Sequence, residues 1–281
     1  MRNLTAANVR RLLKTVYFRI SAALMAVIGL FEIIMVYRDY RVENGDPYFD
    51  GPLASVAPLT AFAIAVIVSL YVGSEYSDGT MRNKVIAGHS RGTVYLSFLV
   101  NSIIGGWILA AVWSVAYLVP GAILMKGENP PIMYGILYLV MLLLLCVFSA
   151  IFTFVSILFD NKAGAAVVCM VLALLLIFQG IAIRTILDEP EFYAPISPGV
   201  MVADCDEIPY AGEPEPNPNY LPEGSLGRKI CTFLDDFTPG GQAIQLPDRI
   251  EDASKICAYD LAWIIILSGA GIMLFRRKDL K

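Results

Sequence analysis

Histidine is almost missing from this chain: His89 is the only one in 281 residues. No histidine cluster is left for a metal centre, and the apolar stretches hold no Ser/His pairing, no paired catalytic Asp and no His-Glu-x-x-His run. Also missing is any Gly-x-x-x-x-Gly-Lys-Ser/Thr run, so the chain has no phosphate cradle of the kind that binds ATP. Charge is scarce as well. Only 16% of residues are charged against 57% hydrophobic, and the mean hydropathy is +0.64. A soluble domain of this length has no interior large enough to hide that much apolar surface. Several runs instead reach the ~20 residues needed to cross a ~30 Å hydrocarbon core. Of the five cysteines, Cys146 and Cys169 fall inside such runs, where small packing residues are common. Cys205, Cys231 and Cys257 lie in one polar segment, and three thiols cannot all pair within one chain.

What is present is an all-α polytopic pattern with six spans. Residues Met1 to Ile20 read as an amphipathic helix, with Val9, Leu12, Leu13, Val16 and Ile20 on one face and Arg10, Arg11 and Lys14 on another. Such a helix can lie at the headgroup surface. It leads into a first span, Ile20 to Val36, that ends without a small-residue cleavage site and so reads as retained. The other apolar runs are Leu53–Val72, Tyr95–Leu118, Met133–Phe159, Ala163–Leu187 and Tyr259–Phe275. Gly105-Gly106 permits close helix approach, Pro120-Gly121 is expected to kink or end the third span, and Asp160-Asn161-Lys162 is a tight turn. Glu32, Asn101 and Gln179 are polar side chains inside spans. They are candidates for an internal path, since hydrocarbon-facing positions would leave them unpaired; Glu32 also fits a position near the interface.

The chain divides into residues 1–187, with the surface helix and five spans, a polar segment 188–258, and residues 259–281 with the sixth span and a basic tail. The polar segment is rich in Pro and acidic residues. Tyr193, Tyr210, Tyr220, Phe233 and Phe237 are enough to anchor a small lid there, while part of it fits disorder. Six spans put both termini on one side. Arg2, Arg10, Arg11, Lys14, Arg82, Lys84, Arg91 and the basic tail share that side, which the positive-inside rule makes the cytoplasm. The polar segment is then expected outside, where disulfides persist.

Between the second and third spans lies the polar stretch Gly73-Ser74-Glu75-Tyr76-Ser77-Asp78-Gly79-Thr80-Met81-Arg82-Asn83-Lys84. Its charges cost ~2.5 kcal/mol or more each near a bilayer centre, so the chain must leave the bilayer here. Ser77 or Asp78 is placed to cap a short helix carrying Arg82, Asn83 and Lys84, and Gly88 and Gly92 read as turns. By itself this stretch fits either a solvated loop or a docking element.

Taken together, these features resemble those of the permease subunits of type-2 ATP-binding-cassette exporters. The resemblance rests on the basic N-terminal helix, the six spans and Glu75-x-x-x-Gly79-Thr80-x-Arg82-Asn83. Gly88-x-x-Arg91, the polar segment before the sixth span and Phe275-x-Arg277-x-Asp279 complete it. It implies that Glu75, Tyr76, Gly79, Thr80, Arg82, Asn83 and Lys84 form a coupling helix (segment 73–92) that docks on an ATPase. It also implies that a separate ATP-binding-cassette subunit carries ATP and Mg, that this chain is itself no enzyme and holds no cofactor, and that a second permease subunit, identical or related, completes the path. The permeases it looks most like are bacterial plasma-membrane exporters of amphipathic or antimicrobial peptides, such as phenol-soluble modulins. The rival reading is a membrane-anchored sensor or assembly protein whose outer segment binds a ligand; it predicts no ATPase partner and leaves the stretch after the second span unexplained.

Overall fold

The computed structural model describes residues 2–42, 56–126, 131–193, 215–245 and 253–278. Among them the chain forms α1 (Arg2–Lys14), α2 (Val16–Val42), α3 (Val56–Ser77), α4 (Thr80–Ile86), α5 (Arg91–Leu124), α6 (Pro131–Leu158) and α7 (Lys162–Leu187). A two-residue ribbon, β1 (Phe192–Tyr193) antiparallel to β2 (Glu215–Pro216), follows. The chain then forms α8 (Leu226–Phe237), α9 (Pro239–Gln245) and α10 (Ala253–Arg277). Helices α2, α3, α5, α6, α7 and α10 are long and apolar enough to cross a membrane. The protein is an all-α polytopic membrane protein.

The bundle is built around α3, which packs against α5, α6 and α7. Its buried face carries Ala57, Ala61 and Ala65 at four-residue spacing, so neighbouring backbones come close. At its end the approach is closer still. A Cβ added to Gly73 would stand 2.7 Å from Lys162 Cα at the start of α7. Gly106 of α5 admits the Ile64 side chain in the same way, where a Cβ would meet Ile64 at 2.6 Å, as the Gly-Gly pair predicts. Helix α2 leans on α5, and α10 on α6 and α5. Along α2, Ile20, Leu24, Val27, Phe31 and Ile34 stay exposed, as a span bordered by lipid or by another chain requires.

Several expected boundaries move. The N-terminal helix is not continuous to Ile20. It ends at Lys14, Thr15 donates its hydroxyl to Leu12 C=O at 2.6 Å, and the first span starts at Val16. Of the expected apolar face, Leu12 is buried against the bundle while Leu13, Val16 and Ile20 are exposed. The third span does not end at Pro120. It runs to Leu124 with Pro120 inside it. Gly88 has positive φ (90°), but Gly92 lies within α5, packed near Ile272 and Arg276, and makes no turn. The tight turn before α7 is present, with Asn161 accepting from Ala163 N–H at 3.0 Å.

Segment 188–258 departs most from a surface lid. Residues 226–245 form the helical pair α8–α9, and it penetrates between the spans. Gly240 packs so closely on α7 that a Cβ there would stand 1.8 Å from Leu176 C=O. Leu176 lies well before Leu187, the end of α7; at 1.5 Å per residue that is roughly 16 Å, about half of a hydrocarbon core. At such depth the open end of α8 must find partners, and all four of its last carbonyls do. Leu234 C=O accepts from Thr238 N–H, Asp235 C=O from the Gln245 amide, Asp236 C=O from the Gln242 amide, and Phe237 C=O from the Trp263 indole. Phe237 also stacks on Phe233 and meets Tyr259 and Trp263, so two of the five expected aromatic anchors hold the pair. Tyr210 and Cys205 lie outside the described residues; Cys231 and Cys257 are free thiols. The sixth span begins at Ala253, earlier than Tyr259.

Candidate functional site

The two ends of the described chain, α1 and the last turn of α10, lie at the same end of the bundle as α4; we call it the proximal end. Here the polar stretch after α3 divides into an inward-facing anchor and an exposed tip.

Glu75 is the centre of the anchor. On the last turn of α3 its side chain is fully buried. Lys84 Nζ of α4 lies 2.7 Å from one carboxyl oxygen, and Thr80 donates its hydroxyl to the same oxygen. Arg11 of α1 stands 2.8 Å from the other as an ion pair without hydrogen-bond alignment. Lys84 also donates to Asn8 Oδ1 at 3.0 Å, and Asn8 donates in turn to Ser97 Oγ of α5 at 3.1 Å. The Lys84 ammonium lies 4.5 Å from the centre of the Phe98 ring. Burial pushes the Lys84 ammonium below the ordinary lysine range, and the Glu75 carboxylate opposes that push. One buried carboxylate thus ties together α1, α3 and α4, and Asn8 adds α5.

Between Glu75 and Lys84 the chain reverses. Gly79 has φ 66°, the left-handed region, and precedes α4 as its N-cap. No Ser77 or Asp78 side chain caps this helix; the turn is made by backbone bonds, Asp78 N–H to Ser74 C=O and Gly79 N–H to Tyr76 C=O. A two-turn helix entered this way presents opposite faces. Met81 is buried at 1% exposure and plugs α4 into the bundle, while Arg82, Asn83 and Ile86 face out. Ile86 is 71% exposed, a large apolar side chain on the rim of a polar tip.

A second network braces the same end from the other side. Lys278, just past α10, lies 2.6 Å from Asp160, donates to Ile157 C=O at 2.7 Å and sits 4.4 Å from the centre of the Tyr76 ring. Tyr76 donates to the same carbonyl at 3.2 Å. Arg91, at the start of α5, donates to the carbonyls of Arg276 and Lys278 and closes the end of α10. The seven residues singled out in this stretch therefore hold different positions. Glu75, Thr80 and Lys84 form the anchor, Tyr76 belongs to the brace, Gly79 makes the turn, and Arg82 and Asn83 are exposed. Sequence reasoning missed Asn8 and Ile86 and did not pair Arg11 with Glu75. The one usable signal was Ile86 itself, an isoleucine in a polar turn with no partner in helical register.

The three path candidates are not drawn together. Glu32 is half-buried on α2, and Asn101 is buried on α5 beside the Ser102–Thr153 hydrogen bond. Gln179 of α7 donates to Thr238 Oγ1 at 3.0 Å and so holds the α8–α9 turn.

Six helices able to span a membrane and a braced proximal end with an exposed helical tip fit a membrane-embedded transport subunit. The ABC-2 family transporter protein model matches residues 3–280, nearly the whole chain, and the chain belongs to that family. It is an ABC-2 type permease, a transport subunit of the membrane, and membership of that family implies an ATP-binding-cassette ATPase partner. No curated protein matches the sequence.

Proposed function

We propose that this chain is the permease of an ATP-driven exporter, that its proximal end is cytoplasmic, and that α4 is the coupling helix which docks on a separate ATPase carrying ATP and Mg. The observation that supports this is the division of the stretch after α3. Arg82, Asn83 and Ile86 form a small mixed surface, and the Glu75 anchor behind it ties that surface to α1, α3 and α5. A tip mounted on loose loop would absorb a push; one held by buried ion pairs passes the displacement to three other elements. A second permease copy, identical or related, would cover the exposed apolar faces left on the spans. Amphipathic peptides, taken from the bilayer of a bacterial cell membrane, suit a path walled by such faces.

The test is copurification. With a candidate ATPase coexpressed, Arg82→Glu and Ile86→Asp should each reduce the ATPase recovered with the permease, while the amount of folded permease stays constant. Both positions are exposed, so a loss of fold is not expected. Wild-type recovery with both variants would sink the docking role of α4.

A further inference from the structure

Helix α8 descends beside α7 from the distal rim, the end of the bundle opposite α4. Its start is tied to that rim. Asn217 donates its amide to Glu189 Oε2 and to Pro190 C=O, just past α7, at 2.8 Å each, and Tyr220 N–H donates to Asn217 C=O at 3.2 Å. Arg228, in the first turn of α8, donates to Leu221 C=O at 3.0 Å and lies over the Tyr220 ring. The other end of α8 meets Gln179 through Thr238 at 3.0 Å. Gln179 precedes Leu187, the end of α7, by roughly 12 Å at 1.5 Å per residue. The first turn of α8 therefore sits at headgroup level and its last turn at the depth of the acyl chains.

Along one face of α8, Leu226, Ile230 and Phe233 recur at helical spacing, and all three are exposed. The stripe beside that face is polar and carries Lys229, Thr232 and Asp236. A cleft of about 350 Å³ follows the polar stripe, and its walls include Arg228, Lys229 and Phe233 of α8, Glu223 before it and Lys255 of α10. Charge in the cleft is unbalanced. Asp236 is paired with Lys255, whereas Arg228 and Lys229 form an ion pair with no carboxylate among the described residues, Glu223 included. Of the other acids near this rim, Asp188 and Glu189 border a different cleft, beside Arg184 and Ile244, and Glu191 and Glu215 border neither. Basic groups at headgroup level beside an apolar ledge are complementary to a phosphate joined to acyl chains. A soluble anion would leave the ledge uncovered. A zwitterionic lipid would bring a cation of its own to a cleft that already has a surplus.

We infer that this cleft binds an anionic phospholipid of the distal leaflet, with its phosphate on Arg228 and Lys229 and its acyl chains along Leu226, Ile230 and Phe233. Such a site is independent of any ATPase docking at α4.

Photolabelling of the full-length protein in nanodiscs tests it. The probe is a phosphatidylglycerol with a diazirine on one acyl chain, held at a low level in phosphatidylcholine, and labelled residues are located by peptide mass spectrometry. Label should appear within residues 226–237. An excess of unlabelled phosphatidylglycerol in the disc should displace it, while glycerol phosphate in the buffer should not. Lys229→Gln, at an exposed position, should lower the label roughly fivefold, the share of one basic side chain at an anionic lipid surface, and Lys229→Arg should restore it. Should Lys229→Gln fail to fold, the competition on the wild type decides. Equal labelling of 226–237 by a phosphatidylcholine with the same diazirine would make the face ordinary lipid-bordering surface and overturn the site. So would phosphatidylglycerol labelling that Lys229→Gln leaves unchanged. Displacement by glycerol phosphate would assign the cleft to a soluble anion and overturn the lipid. Absence of label from both lipids would mean that protein covers the face, a second copy included, and would also overturn it.

Discussion

The Lys84 ammonium and the Glu75 carboxylate meet at 2.7 Å across the reversal between α3 and α4, with Lys84 only 12% exposed and Glu75 not at all. Two residues so close in the chain form a buried ion pair because Gly79 folds the stretch back on itself. Arg11, far away in sequence, brings a second cation to the other carboxyl oxygen.

Removing one partner should be costlier than removing both. Glu75→Gln leaves Lys84 buried beside an uncharged amide, a change worth about 3–5 kcal/mol for a buried pair. Glu75→Gln with Lys84→Met should lose less than the sum of the two single changes. Unfolding midpoints of the four proteins in detergent form the double-mutant cycle. A midpoint for Glu75→Gln equal to wild type would remove the anchor from the account.

At Gly79 the strain is purely one of backbone, because a Cβ there meets nothing within 4 Å. Gly79→Val should therefore cost about 1–2 kcal/mol, the usual penalty of the left-handed region. Gly79→Asn should cost less, since Asn enters that region more readily. Hydrogen exchange across α4 reads the difference. On the exporter reading, Gly79→Val also lowers cargo moved per ATP hydrolysed, while Gly79→Asn keeps it. Equal behaviour of Val and Asn would mean that the positive φ is not needed.

Gly240 and Gly269 give a matched contrast. A methyl group at Gly240 collides with Leu176 C=O, whereas one at Gly269 meets nothing within 4 Å. Gly240→Ala should destabilise by about 1–3 kcal/mol, as overpacking does, and raise exchange throughout α8–α9. Gly269→Ala, inside α10, should be neutral or stabilise by up to about 1 kcal/mol. Protection of α8–α9 that survives Gly240→Ala would show that the pair does not depend on this close approach.

Sidedness is open to a direct labelling experiment. Asp78 at the proximal end and Glu215 in β2 are both exposed. A membrane-impermeant thiol reagent applied to intact cells should label Glu215→Cys and spare Asp78→Cys. Labelling of Asp78→Cys from outside would reverse the proposed orientation and take the ATPase-docking role of α4 with it.

The six spans were legible because each is a long apolar run, and hydropathy alone finds such runs. The importance of the stretch from Glu75 to Lys84 was also legible, since charges at the end of a span force the chain out of the bilayer. Its orientation was not. Glu75 reads as a surface charge until Arg11 is placed beside it, and no local pattern links residues so far apart. The pair α8–α9 escaped notice for a related reason. Asp235, Asp236, Gln242 and Gln245 give it the composition of a solvated loop. Its burial depends on partners such as Trp263 that only the tertiary structure supplies. The break at Thr15, where a side-chain hydroxyl bonds Leu12 C=O, and the continuation of α5 through Pro120 are local details that periodicity does not register.

The carbonyl caps at the end of α8 also have a bearing on the order in which the chain can be made. Trp263, which closes Phe237 C=O, lies in the last span and is synthesised after the segment it caps. Until α10 arrives, residues 226–245 would carry an uncapped Phe237 carbonyl and two buried carboxylates into lipid, which the bilayer resists. The segment is therefore expected to wait in water and dock as the closing step of biogenesis. A nascent chain halted before α10 should leave Cys231 open to a water-soluble thiol reagent, and release of the full chain should then protect it.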